Sequence, residues 1–284
     1  MLAGALRGTR ALARAGAARR GAGGHRARRG VAAQAAAAAL VIGDEILRGA
    51  IQDTNTAWLA AQLHARGVDL VRAEVVPDEA EVIVESLHRL RRVVGPTGPV
   101  FTSGGIGPTH DDVTYDAVAR ASGVGLELHA PTVAKMREHY EAQGKELTDA
   151  RLRMATLPQG CEVLETPGLW VPLVHLDAVY VLPGVPGLFK RMVEASLHRF
   201  RGPEAHSTEL YTDEGEGDLG EALGAIAARH PAVQIGSYPE TSRYEEGAAA
   251  AAGYTTKLSF VSRDPAALAA AVAEAEAAIP SRRP

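Results

Sequence analysis

The residues with the greatest chemical potential run from Thr102 to Thr114, in the order Thr-Ser-Gly-Gly-Ile-Gly-Pro-Thr-His-Asp-Asp-Val-Thr. Gly104, Gly105 and Gly107 carry no Cβ, so successive backbone N–H groups can converge on one point. Set before a helix expected to begin near Asp111, such a loop cradles an anion. The N–H groups and the positive end of the helix both favour a phosphate or pyrophosphate. A tight turn capped by Thr109 or Asp111 would use the same residue types. The pair Asp111 and Asp112 favours the cradle: two carboxylates beside a phosphate repel it unless a cation intervenes, and aspartate plus phosphate is the usual way Mg²⁺ is held. Such an ion polarises a phosphoryl group and orients an attacking water.

Other acids stand in comparable places. Asp78, in Val76-Pro77-Asp78-Glu79, follows a strand-like run and by itself reads as the cap of the next helix. Asp44 and Glu45, in Gly43-Asp44-Glu45-Ile46-Leu47, lie in a loop after another such run and could reach the same metal. The stretch Pro183-Gly184-Val185-Pro186-Gly187 reads as a rigid turn. His64, His88, His129, His139 and His175 lack metal-ligand spacing. The single cysteine, Cys161, excludes an intramolecular disulfide and a cysteine metal cluster.

The elements that must position these residues follow an alternating pattern. A short buried strand over 38–42 ends at Gly43, and a loop runs to Asn55. Trp58, Leu59, Gln62 and Leu63 then recur at helical spacing until Gly67, and 68–76 returns to strand-like residues. Val82, Ile83, Ser86, Leu87 and Leu90 mark a second helix, and 99–102 a third strand that runs into the glycine loop. This order, β-α-β-α-β, predicts a three-layer α/β/α domain with a mostly parallel sheet, whose ligands gather at the C-terminal ends of the strands. Helices are expected near 132–143 and 150–156, and a strand over 178–182 ends at the Pro183 turn. Beyond about Phe200, strand-like runs at 208–211, 233–235 and 255–261 alternate with helices near 219–228 and from Pro265, which predicts a small two-layer α+β domain. The domains are therefore expected at 37–203 and 204–284.

The first 36 residues stand apart. Eight arginines and no acidic residue lie among alanines and glycines before residue 37, which is the composition of an organellar transit peptide. Mitochondrial targeting is expected, with chloroplast or cytosol as alternatives. Without those eight arginines the 30 basic residues fall to 22, against 34 acidic ones, for a formal charge of −12. A body so acidic excludes generic nucleic-acid binding. The longest apolar run, 31–42, is mostly alanine and shorter than the roughly 20 residues a bilayer span needs, so no membrane association is expected. The alanine run 248–252 reads as a loop elaboration.

Taken in order, the segments 43–47, 53–56 (Asp-Thr-Asn-Thr), 77–79, 104–114 and 182–186 resemble the MoaB/Mog family of molybdopterin-binding-like domains. The opening Gly-Asp-Glu and Thr-Asn elements look like the branch shared by competence-damage-inducible (CinA-type) proteins and FAD synthases. The segments 172–174, 179–184, 206–211 and 236–239 resemble the N-terminal region of eukaryotic FAD synthase. Trp170 and Val171 depart from the bacterial pattern, where a glycine-rich segment is expected.

The resemblance implies metal-dependent hydrolysis of FAD, or of a related nucleotide pyrophosphate such as ADP-ribose, to AMP and the other phosphate half. The adenylyl-transferring half of FAD synthase has no counterpart in these residues, so FAD synthesis is not expected. By resemblance Asp78 and Asp112 are catalytic, and Asp44, Asp111 and Asp112 hold a divalent metal, Mg²⁺, Mn²⁺ or Co²⁺, with K⁺ a further candidate. Ser103, Gly104, Gly105, Gly107 and Thr109 would contact the phosphates, while Pro183 and Gly184 border the ring system. The ligand is then FAD or a pterin, and a homo-oligomer is the usual assembly of such folds. Two other readings compete: molybdopterin adenylyl transfer, and a non-catalytic flavin- or pterin-binding module.

Overall fold

A computed structural model of the chain describes residues 36–241 and 253–284. The arginine-rich segment up to 35 and the alanine run at 248–252 lie outside the described residues.

The first domain opens with β1 (Ala36–Ile42), in which Ala37 to Ile42 are all buried. Alternate side chains serve two separate cores: Ala38, Leu40 and Ile42 enter one, Ala37 and Ala39 the other. This dual burial is what a strand covered on both faces requires. A single helical turn, α1 (Asp44–Leu47), follows where the sequence predicts a loop, and then α2 (Asn55–His64). The chain continues through β2 (Asp69–Val76), α3 (Ala80–Val94), β3 (Val100–Ser103), α4 (Thr114–Ser122), β4 (Leu126–Leu128), α5 (Ala130–Glu141) and α6 (Asp149–Leu152). It closes with β5 (Thr156–Pro158), β6 (Glu162–Leu164), β7 (Leu173–Leu176), β8 (Val179–Leu182) and α7 (Pro186–Ser196).

The main sheet has the order β2-β1-β3-β8-β7-β6. The pairings among β2, β1, β3 and β8 are parallel, and β7 and β6 add an antiparallel edge. Ile83, Leu87 and Leu90 of α3 with Ala117 and Val118 of α4 pack on one face; Leu59 and Leu63 of α2 with Phe189, Met192 and Val193 of α7 pack on the other. The three layers and the mostly parallel sheet are as the alternating pattern predicts.

Two local expectations are corrected. The helix expected over 150–156 stops early: Asp149–Leu152 is α-helical and Arg153–Ala155 a 3-10 turn, after which Thr156 enters a strand and its hydroxyl donates to the Leu152 carbonyl. The helix expected near Asp111 begins at Thr114, because Thr114 is tied back to the glycine loop rather than forward from the aspartates.

The second domain comprises β9 (His206–Thr212), α8 (Glu216–Arg229), β10 (Gln234–Pro239), β11 (Thr256–Ser262) and α9 (Pro265–Ala278). Its antiparallel sheet, β10-β11-β9, buries Leu210, Leu258 and Phe260 against Leu219, Ile226, Leu268 and Val272. Asp264 caps α9 by accepting the N–H groups of Ala266 and Ala267. Arg263 crosses to the first domain, donating to the Gly67 carbonyl at 3.0 Å and the Asp69 carboxylate at 2.7 Å. Among the described residues no helix is long and apolar enough to cross a membrane.

Candidate functional site

Because β1, β3 and β8 run parallel, the segments that follow them emerge on one edge of the sheet. There they line a cavity of about 580 Å³. The glycine loop after β3 is fixed by contacts that only glycine permits. Gly104 has φ +113°, and a Cβ there would lie 2.1 Å from the Ile42 carbonyl oxygen of β1. Gly105 has φ +65°, with the Thr114 hydroxyl where a Cβ would stand. Thr114 in turn locks the loop, donating its hydroxyl to the Gly104 carbonyl at 2.9 Å and its N–H to the Gly105 carbonyl at 3.0 Å. The turn after β8 packs directly on this loop, since a Cβ on Gly184 would lie 3.5 Å from the Gly104 Cα.

The loop does gather N–H groups around an oxyanion, and that oxyanion is Asp112. Its carboxylate accepts the N–H of Gly107 at 2.6 Å, the N–H of Thr109 at 2.8 Å and the Thr109 hydroxyl at 2.5 Å. The N–H of Gly104 is used differently, donating to the Leu182 carbonyl of β8. Ser103 is buried and its hydroxyl accepts from the Asn55 amide at 3.0 Å.

Asp78 does not cap α3, whose cap position is Glu79 and has no side-chain hydrogen bond. Instead its carboxylate accepts the Asp44 N–H at 2.9 Å, and its other oxygen lies 3.5 Å from where a Gly105 Cβ would stand. Desolvation raises the Asp78 carboxyl above the usual carboxylate range; the Asp44 N–H opposes this, while the charges of Glu45, Asp44 and Asp111 add to it. Asp44 itself turns outward: its carboxylate pairs with Arg48 and does not line the cavity, whereas Glu45 does. Of the predicted residues, then, Asp78, Ser103, Gly104, Gly105, Gly107, Asp111, Asp112, Pro183 and Gly184 line one cavity; Thr109 touches it through Asp112, and the Asp44 side chain lies outside.

Among the described residues Glu45, Asp53, Asp78, Asp111 and Asp112 line the cavity, and no lysine or arginine does. Among the described residues no three His, Cys, Asp or Glu side chains stand close enough to form a preassembled metal cluster. Asn55 is a site residue that sequence reasoning left unassigned. It is buried at the start of α2, donates to Ser103 and to the Gly184 carbonyl at 2.9 Å, and so joins the loops after β3 and β8. Its own Oδ1 has no partner among the described residues. The signal was its place in the Asp53-Thr54-Asn55-Thr56 segment that carries the family resemblance, to which no role was given.

The charge state of Asp78 gives a stability test. A carboxyl raised in the folded state contributes stability that is present below its unfolded pKa and lost as pH rises through its folded pKa. Ionised Asp78 therefore costs stability at neutral pH. Asp78→Asn keeps an acceptor for the Asp44 N–H and is expected to raise stability at pH 7, with the gain shrinking as pH falls through the raised folded-state value and gone below about 4. Urea unfolding at the two pH values checks this; a less stable variant at pH 7 would contradict it.

A three-layer α/β/α domain with a glycine loop and clustered acids on its parallel-strand edge, followed by a small α+β domain, defines the class. The chain belongs to the family described as probable molybdopterin binding domain, which matches residues 38–202. Residues 204–283 match the FAD synthase middle domain, so both resemblances read in the sequence are found. A protein of Pyrobaculum calidifontis is 34% identical over 212 residues, covering 71% of this chain and 79% of that one. A protein of Aeropyrum pernix is 41% identical over 160 residues, covering 55% of this chain and 59% of its own length. A CinA-like protein of Myxococcus xanthus is 35% identical over 211 residues, covering 69% of this chain but only 49% of that protein. Among solved structures, a CinA protein of unknown function from Thermoplasma acidophilum is similar, with 30% identity, a TM-score of 0.52, and 59% of this chain and 98% of that one covered.

Proposed function

We propose that the chain is a metal-dependent nucleotide pyrophosphatase that hydrolyses FAD, or an ADP-ribose-like pyrophosphate, to AMP and the other phosphate half. One observation carries the reading: a glycine loop holds an oxyanion on backbone N–H groups inside a cavity lined, among the described residues, by five carboxylates and no lysine or arginine. An anionic substrate binds such a cavity weakly by itself and tightly with a cation. The donors are hard oxygens, which suit Mg²⁺, Mn²⁺ or Co²⁺, and phosphate oxygens complete the coordination that the side chains alone do not. When bound, the ion supplies Lewis-acid polarisation of the phosphoryl group.

The residues of the chain do the rest. Asp112 and Asp111 would hold the ion, and the N–H groups of Gly107 and Thr109, which now donate to the Asp112 carboxylate, would then be free to donate to a phosphate oxygen. Asp78, held by the Asp44 N–H and raised by burial, positions the water and accepts its proton. The water oxygen bonds to the AMP phosphorus, the bridging P–O bond breaks, and the leaving phosphate keeps that electron pair. Asn55 fixes the loops after β3 and β8 relative to each other. The match to a molybdopterin binding domain favours a second ligand class, a phosphorylated pterin, in the same cavity. Chromatography of FAD incubated with the full chain and each metal tests the proposal. Equimolar AMP and FMN are expected; intact FAD and ADP-ribose with all three metals would sink it. We further propose mitochondrial residence, which localisation of the tagged full chain checks.

A further inference from the structure

We propose that Trp170 is the stacking face for a planar heteroaromatic ring of the ligand, and thus the residue that sets which nucleotide or pterin the cavity accepts. This rests on the reading of the cavity as a nucleotide or pterin site. The segment before β7 reaches that site because β7 runs antiparallel to β8, with Val174 opposite Val181. The start of β7 therefore lies at the same sheet edge as the end of β8. Two strand spacings, roughly 10 Å, separate β7 from β3 and its glycine loop, enough for a ribose or ribityl chain to lie between phosphate and ring.

Trp170 lines the cavity with Met154 and Val171, and its indole is braced by two rings that do not line it. His139 and Tyr140 of α5 stand 5.7 and 5.9 Å from it, at interplanar angles of 42° and 53°. Arg151 caps the group with its guanidinium carbon 4.3 Å from the centre of the Tyr140 ring. The loop that carries Trp170 is anchored by an ion pair between Lys135 and Glu165 and by Arg191 donating to the Pro167 carbonyl at 2.9 Å. A ring braced in this way is ordered before the ligand arrives, so stacking costs little side-chain entropy. The apolar lining beside it is left open, with Ile51 57% and Val185 59% exposed. A cavity that combines apolar walls with a few polar groups is what a heterocycle linked to a phosphate fills. His139, Tyr140 and Arg151 do not line the cavity themselves, so the brace stands apart from the glycine-loop machinery.

The chain has two tryptophans, and Trp58→Phe leaves Trp170 as the single indole. In this background, with EDTA to prevent turnover, the full chain is titrated with FAD, FMN, ADP-ribose and AMP while indole and flavin emission are followed. Quenching by at least one of them is expected, and Trp170→Ala should weaken that ligand's binding at least about tenfold, with Trp170→Phe retaining most of it. Weakening confined to FAD and FMN assigns the isoalloxazine to Trp170; weakening of all four assigns the adenine as well. Quenching by none, or affinities within twofold of the parent in Trp170→Ala, overturns the proposal. The hydrolase reading fails separately: FAD that binds through Trp170 but releases no AMP with metal leaves the stacking site standing, and AMP release with no stacking effect leaves only the hydrolase.

Discussion

Replacing Asp112 by alanine is expected to abolish metal-dependent AMP release, with a loss of at least about 100-fold, and at the same time to tighten AMP binding in EDTA severalfold. The two effects have opposite signs because Asp112 occupies two roles. Its carboxylate fills the anion position of the glycine loop, taking the N–H groups of Gly107 and Thr109 and the Thr109 hydroxyl. Removing it frees those donors and removes one of the negative charges lining the cavity, so a phosphate binds better without metal. Asp112→Asn keeps an acceptor for the loop and loses the charge; it should lose turnover with a smaller gain in AMP affinity than Asp112→Ala. Kinetics with Mn²⁺ and calorimetric AMP titration in EDTA check both variants. Turnover within tenfold of wild type in Asp112→Ala would contradict the assignment, and weaker metal-free AMP binding would contradict the view that Asp112 holds the anion position.

Gly104→Ala is expected to destabilise the first domain by about 3 kcal/mol or more, lowering its melting temperature by roughly 6–12 °C. Two costs combine. The backbone sits at φ +113°, and a Cβ would meet the Ile42 carbonyl oxygen at 2.1 Å. That oxygen belongs to the central strand β1, so it cannot move without disturbing the pairing with β2 and β3. Gly187→Ala is the control, since a Cβ there meets nothing within 4 Å; it should change stability by less than about 0.5 kcal/mol. Equal melting temperatures for the two variants would mean the loop is looser than its contacts imply.

The parallel core was legible because β1 and β8 are buried on both faces and read as continuous apolar runs, while Ile83, Leu87 and Leu90 keep helical spacing. The glycine loop was legible for the same reason that it works, since Gly104 and Gly105 hold backbone conformations other residues avoid. Other features had no local signal. The tight turn between β7 and β8 has positive φ at Asp177 and Ala178, without the glycine that usually marks such a hairpin. The short strands β4 to β6 have three residues each, too few to display a period. Asp78 read as a helix cap because its true partner, the Asp44 N–H, lies 34 residues away. Neighbours in sequence did not show which of Asp44 and Glu45 faces inward; the short helix α1 turns Asp44 toward Arg48 and leaves Glu45 on the cavity.

The central claim is that a pyrophosphate is held at the Gly104–Thr109 loop beside a cation bound by Asp112. Crystals of the full chain grown with Mn²⁺ and ADP-ribose, measured at the manganese absorption edge, test it most directly. The account predicts one anomalous peak within coordination distance of Asp112 and of a phosphate oxygen, with the Gly107 N–H turned from Asp112 to the phosphate. A pyrophosphate bound elsewhere, or bound at the loop with Asp112 still on the Gly107 and Thr109 N–H groups and no manganese nearby, would contradict it.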